Sequence, residues 1–301
     1  MRNFKIFFLF IFTIFLFGCS ADEAENVETH ENMEYNGIEE KLQNYPKLDS
    51  SIKEDVRQMY YLWCDFNENI SQNKDPSEDF INSGFINKLK EFFSLKESLS
   101  IEPDDLGRIL SQNDLFHIDR ETYINGKKIN VRAICYNADI FVQAVTDKPI
   151  KSKWIFIQYW TDKDFNCYVL SDGDYYYLDD IKLYEHNGKL NALVCTETTG
   201  EIPRSKNIWS LKFEDGKIQK GDAFAQRDES LQPETFGIWD IKWRGDLLSV
   251  CVDMEDVEFS FNSPVCRFEG NNIKFSYTEI DGSIYELDII YNYENGAYVI
   301  V

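Results

Sequence analysis

Histidine is scarce in this 301-residue chain: His30, His117 and His186 stand against 53 acids and 31 lysines and arginines. No HExxH pair exists to hold a helical zinc site, and imidazole acid–base chemistry has few carriers. The chain also lacks a GxSxG nucleophile elbow, a glycine-rich phosphate loop, a dinucleotide fingerprint and any CxxC pair among its seven cysteines. Ser50-Ser51-Ile52-Lys53 matches SxxK, but no KTG accompanies it and helix capping accounts for the serines. Positive charge is in deficit. A formal net charge of −22 repels nucleic-acid phosphates and anionic lipid head groups, so nucleic acid is not an expected partner. What is present is apolar and aromatic material, 43% and 15% of residues, enough to bury a core in one large or two modest domains.

The longest apolar run, Ile6 to Phe17 broken by Thr13, follows Arg2 and Lys5. It is short for a bilayer span, which needs about 20 residues, and suits the core of a signal peptide. It ends on Leu16-Phe17-Gly18-Cys19, which resembles the lipobox of bacterial lipoproteins. The resemblance implies removal of residues 1–18, a diacylglyceryl group on the Cys19 thiol, and anchoring on the extracytoplasmic face of the cell membrane. Two acyl chains hold stably where one does not. Six cysteines remain: Cys64, Cys135, Cys167, Cys195, Cys251 and Cys266. An even count outside the cytoplasm permits disulfides, yet several of these positions fall inside apolar helix or strand patterns, which favours buried free thiols.

Residues 19–47 comprise the lipidated cysteine and an acidic stretch expected to be a flexible tether, with room for a short helix near Ile38 to Leu42. The pattern then becomes helical. Ile52, Val56, Met59, Tyr60, Trp63, Phe66 and Ile70 recur at spacings of three and four, and Ser51-x-x-Glu54 reads as a capping box. Phe80, Ile81, Phe85, Leu89, Phe92 and Phe93 predict one broken helix or two short ones around Gly84, and Pro103 starts another with Leu106, Ile109 and Leu110. From about residue 115 the signal is strands, ten to fourteen of them. Asn125-Gly126, Asn187-Gly188, Asp215-Gly216 and Asn295-Gly296 sit between apolar runs as hairpin turns. Gly126–Cys135, Gly188–Cys195 and Gly245–Cys251 each run from a turn through an apolar strand to a cysteine, an echo attributable to recurring hairpin chemistry.

The fold class expected is α+β: short N-terminal helices, an antiparallel sheet, then an all-β meander. The helix bearing Tyr60, Tyr61 and Trp63, two more short helices, Leu110-Ser111-Gln112-Asn113-Asp114 and a curved sheet closing at Tyr177-Leu178-Asp179-Asp180-Ile181 resemble the NTF2-like cone domains of secreted bacterial proteins. The resemblance covers residues 48–182 and implies a pocket between helices and sheet; residues 183–301 would form the all-β unit.

Candidate sites are sparse. His117-Ile118-Asp119 offers two metal ligands, but neither a metal nor another cofactor is expected. Asp162-Lys163-Asp164-Phe165-Asn166 begins like a calcium loop, then places Cys167 where glycine is required, and reads as a turn. Asp174, Tyr175, Tyr176 and Tyr177 are the binding candidates, because adjacent tyrosines on a strand face opposite sides and phenols beside carboxylates suit glycans or proteins. The function expected is a non-enzymatic binding or interaction module at the cell envelope. The alternative is a carboxylate-based hydrolase of envelope glycans or peptides, with a raised-pKa acid facing a second one.

Overall fold

The computed structural model describes residues 30–70, 83–111, 115–138, 153–174, 176–198, 205–224, 238–252, 264–279 and 281–300. The expected leader (residues 1–18), Cys19 and Tyr175 lie outside them. Among the described residues no helix is long and apolar enough to cross a membrane. The chain forms two compact units, 1–41 and 42–301. Helix α1 (His30–Gln43) starts in the first and occupies much of the segment expected to be a flexible tether. Its glutamates, Met33, Lys41 and Gln43 are good helix formers, and Lys41 complements the helix dipole in the last turn.

The second unit continues with α2 (Ser50–Ile70), α3 (Phe85–Phe93), a 3₁₀ turn (Lys96–Ser100) and α4 (Pro103–Ile109). The cap of α2 differs from the expected box. The Asp49 carboxylate accepts both the Ser51 amide and the Ser51 hydroxyl at 2.8 Å, and these bonds hold its pKa below the ordinary value. Glu54 turns instead to Arg57 and Gln58. An acid at this place satisfies orphan amides and meets the positive helix end, an advantage the neutral Ser51 lacks. Gly84 (φ 81°) precedes α3, as the break in the hydrophobic pattern predicts, and Pro103 opens α4.

Among the described residues fourteen strands make three antiparallel sheets. Sheet A is the meander β1 (Leu115–Ile124), β2 (Lys127–Asn137), β3 (Lys153–Trp160) and β4 (Phe165–Asp174). Sheet B holds β5 (Tyr176–His186), β6 (Lys189–Thr198), β7 (Ser205–Glu214) and β8 (Lys217–Lys220), with the hairpin β9 (Trp239–Arg244) and β10 (Leu247–Val252) joined to β7 through β10. Sheet C is the meander β11 (Val265–Glu269), β12 (Asn272–Thr278), β13 (Ile284–Asn292) and β14 (Ala297–Ile300). Position 182 falls inside β5, a strand of sheet B.

Turn chemistry sets the hairpins. Asn125-Gly126, Asn187-Gly188 and Asp215-Gly216 place both residues at positive φ (51–52° and 73–75°), the two-residue turn whose twist matches antiparallel strands. At Asn295-Gly296 only the glycine is positive, within a longer loop. The cysteine echo occupies β2, β6 and β10, yet β10 lies in the inserted hairpin rather than in the third meander. The echo therefore marks hairpins and does not follow the stacking of sheets.

Strand alternation builds three core layers. Tyr136, Trp154 and Phe156 face the helices, where Trp63–Phe85, Phe85–Tyr136 and Phe93–Phe156 ring centroids lie 5.1–5.7 Å apart. Val131, Ala133, Ile155 and Ile157 face the other way and pack with Ile181, Leu190, Ala192, Val194 and Leu211 of sheet B. The opposite face of sheet B presents Leu193, Ile208, Leu248 and Val250 to Ile273, Phe275, Leu287 and Ile289 of sheet C. β3 is thus covered on both faces, which is why its sequence is nearly all apolar. Each such side chain contributes about 1.5–3 kcal/mol on burial.

Candidate functional site

Of the tyrosine candidates, the described Tyr176 and Tyr177 do not converge. Tyr176 is half-buried and meets Trp209 edge-on at 5.4 Å, while Tyr177 is exposed and packs on Phe116 at 5.1 Å. The expected opposite orientations appear, but at separate places. Asp174 ends β4 opposite Lys153 in the ladder. The Asp162–Asn166 stretch forms the turn between β3 and β4, closed by Thr161 and Asp164, and the Asn166 side chain accepts the Ile218 amide.

Two polar sites emerge instead, neither contiguous in sequence. The first lies on the helix-facing side of sheet A, beyond the aromatic layer. Antiparallel register sets Asp119 opposite Arg132, and His117 is two residues back on the same face. The start of α4 brings Glu102 and Asp104 to them. Arg132, with only 5% of its side chain exposed, donates Nε to Asp119 Oδ1 at 2.7 Å, and Nη2 to Asp119 Oδ2 at 2.9 Å and Glu102 Oε2 at 2.5 Å. Burial opposes its charge, but the bonds and fields of Asp119 and Glu102 outweigh that and raise its pKa. Its guanidinium also lies 5.7 Å from the Trp160 ring centre. His117 Nδ1 is 3.0 Å from Asp104 Oδ1; Nε2 is 3.3 Å from Glu102 Oε2 and 3.8 Å from Asp119 Oδ2. Beside this group Asp119, Arg120, Glu121, Asn130 and Trp160 line an open depression of about 300 Å³.

The second site is a polar pocket of about 340 Å³ where sheets B and C end together. The β5–β6 turn supplies His186, Asn187 and Lys189; β6 adds Asn191; β7 adds Ser210, Lys212 and Glu214; Asp222 and the β13–β14 turn close it. Its charges are paired within the pocket: Lys189 with Glu214 and Lys212 with Asp222, both at 2.6 Å. Lys189 holds the Glu214 carboxyl below its ordinary pKa. His186 Nε2 lies 2.9 Å from Asn187 Nδ2, so it accepts, and Nδ1 carries the proton toward Tyr291 Oη at 2.8 Å. Tyr184, in the wall, has its pKa raised by burial and by Tyr291. Ser210 Oγ is buried without a hydrogen bond of good geometry, with the Tyr184 hydroxyl close by. Gly296 (φ 70°) lets its turn lie against the His186 ring, which a Cβ there would overlap.

Of the residues weighed from the sequence, the structure therefore assembles His117 and Asp119 with Glu102, Asp104 and Arg132, partners 13 to 30 positions away from one another along the chain. The pairing of β1 with β2 was readable from the Asn125-Gly126 turn; the docking of α4 against them was not. The pocket residues carried turn signals in the sequence: Asn187-Gly188, which places His186 and Lys189 side by side at a hairpin tip, and Asn295-Gly296, whose turn lines the same pocket. Comparison with family models, with curated proteins and with solved structures found no match to this chain.

Proposed function

We propose that the protein is a lipid-anchored extracytoplasmic lipoprotein that acts as a non-enzymatic binding module at the cell envelope, taking an uncharged, hydroxyl-rich ligand such as a glycan unit in the pocket between the ends of sheets B and C. One observation carries the ligand side: every lysine in that pocket is matched by a carboxylate, so the wall offers a neutral array of amides, paired ions, a hydroxyl and a phenol. Such a wall orients hydrogen-bonding groups without selecting a net charge. Hydrolysis of a glycan needs an acid held protonated, and here Lys189 keeps Glu214 ionised while Lys212 faces Asp222. The pocket geometry therefore supports binding over the carboxylate hydrolase. The anchor rests on Leu16-Phe17-Gly18-Cys19. The finer reading of residues 48–182 as NTF2-like rests on three helices covering one face of the four-stranded sheet A.

Two experiments test this. Intact mass of the membrane-extracted chain, compared with Cys19→Ala, is expected to give a mature protein beginning at a diacylglyceryl-cysteine, lost in the variant; an unmodified, uncleaved chain would sink the anchor. Titration with neutral oligosaccharides from envelope glycans is expected to saturate and to weaken about tenfold or more in Asn191→Ala, in line with an unpaired hydrogen-bonding group at about 1.4 kcal/mol. Equal binding by wild type and Asn191→Ala, or none at all, refutes the pocket.

A further inference from the structure

We propose that Glu102, His117 and Asp119 form a divalent-metal site of the zinc class, independent of the glycan pocket. Zinc bound to nitrogen and carboxylate oxygen at about 2.0–2.2 Å in a tetrahedron sets neighbouring ligand atoms about 3.3–3.5 Å apart. His117 Nε2 stands 3.3 Å from Glu102 Oε2 and 3.8 Å from Asp119 Oδ2, so the three atoms meet one ion after a shift of a few tenths of an ångström on the Asp119 side. One ligand atom from each residue falls within 4.8 Å of the others.

Three further features suit an ion there. Asp104 sits on His117 Nδ1 at 3.0 Å, an arrangement that fixes the tautomer and leaves the Nε2 lone pair facing Glu102 and Asp119. The buried Arg132 holds both carboxylates in place before any ligand arrives. A carboxylate carries about four lone-pair sites, so each acid can accept from Arg132 and still offer one to a metal. Charge gives the third. With the imidazole neutral, three carboxylates and one guanidinium leave two negative charges, which a divalent ion cancels. Three protein ligands leave the fourth position for water or for a group reaching in from the adjoining Trp160-lined depression.

Isothermal titration of the detergent-solubilised full chain with zinc, after stripping with chelator, tests the site. The expected result is one saturable site per chain. His117→Ala should abolish it, and Asp104→Asn should weaken it about 10- to 100-fold, because the imidazole loses the carboxylate that orients it. Should His117→Ala fail to fold, Glu102→Gln carries the test, because its carboxamide oxygen still accepts from Arg132. No saturable binding overturns the proposal and leaves an ion-pair network. Binding that survives Glu102→Gln and His117→Ala but disappears in Cys195→Ser overturns it equally, assigning the ion to thiols.

Discussion

Replacing Arg132 by methionine removes one charge from the centre of the sheet A polar cluster and keeps a stem that packs much like the arginine's. Three charge-assisted hydrogen bonds to Asp119 and Glu102 disappear, with the contact to Trp160. Breaking a fully buried ion pair by removing one partner costs about 3–5 kcal/mol, because the other charge is stranded. Here the stranded carboxylates are 47% and 52% exposed and regain water, so the loss should be about half of that, near 2 kcal/mol. The assay is urea unfolding followed by far-ultraviolet circular dichroism. At a slope of about 2 kcal/mol per molar, the midpoint should fall by about 1 M with the slope unchanged. Asp119→Asn in the same background closes a double-mutant cycle, with a coupling of about 1 kcal/mol expected for groups in direct contact. A midpoint shift below about 0.2 M, or no coupling to Asp119, refutes the view that this cluster ties α4 to the sheet.

Asp246 reports on pH. Burial raises its pKa, but Lys220 and Arg244 more than compensate and hold it below the ordinary value. The unfolded carboxyl binds its proton more readily than the folded one, so this group's stabilisation is present above about pH 4 and is lost as pH falls through the folded pKa. Asp246→Asn should flatten that part of the acid limb of a stability–pH curve; an unchanged limb contradicts the pairing. Burial pushes the Cys167 thiol up to about 12, with Ser94 only partly offsetting it. Mass spectrometry after iodoacetamide at pH 8 should therefore show Cys167 unmodified until urea is added, and prompt native alkylation would disprove it. Gly296→Ala meets both a positive φ and the His186 ring, and should cost about 1–3 kcal/mol in melting or urea experiments. A change under about 0.5 kcal/mol would show that the turn moves freely away from His186.

Much of the architecture was legible because local rules agreed with the global one. Helix periodicity placed α2 and α4, and the paired positive-φ residues of the Asn-Gly and Asp-Gly turns fixed three hairpins. In β9 Trp239, Ile241 and Trp243 face the core, with Asp240 and Lys242 on the other face as an ion pair, the period-two alternation of a half-buried strand. The misses have physical causes. The Asp49 cap lies before the box that Ser51 and Glu54 imitate. The polar cluster was out of reach because Arg132 meets Glu102 only after α4 docks, a long-range event that no window of sequence contains.

The layered order of sheets carries a consequence for how the body opens. Sheet B is clothed on both faces, and sheet A has helices on one side and sheet B on the other. Among the described residues sheet C packs on sheet B alone. Its outer side shows Val265, Ile284, Ile290 and Val299 to solvent, and β14 is secured to the body by the Tyr298 backbone N–H, which donates to the Ala223 carbonyl, and by Tyr298 packing on Phe224. Amide hydrogen exchange should thus run as a gradient, slowest in β3, β6 and β7 and fastest in β11 and β14, so the C-terminal layer can peel away while the central strands stay closed.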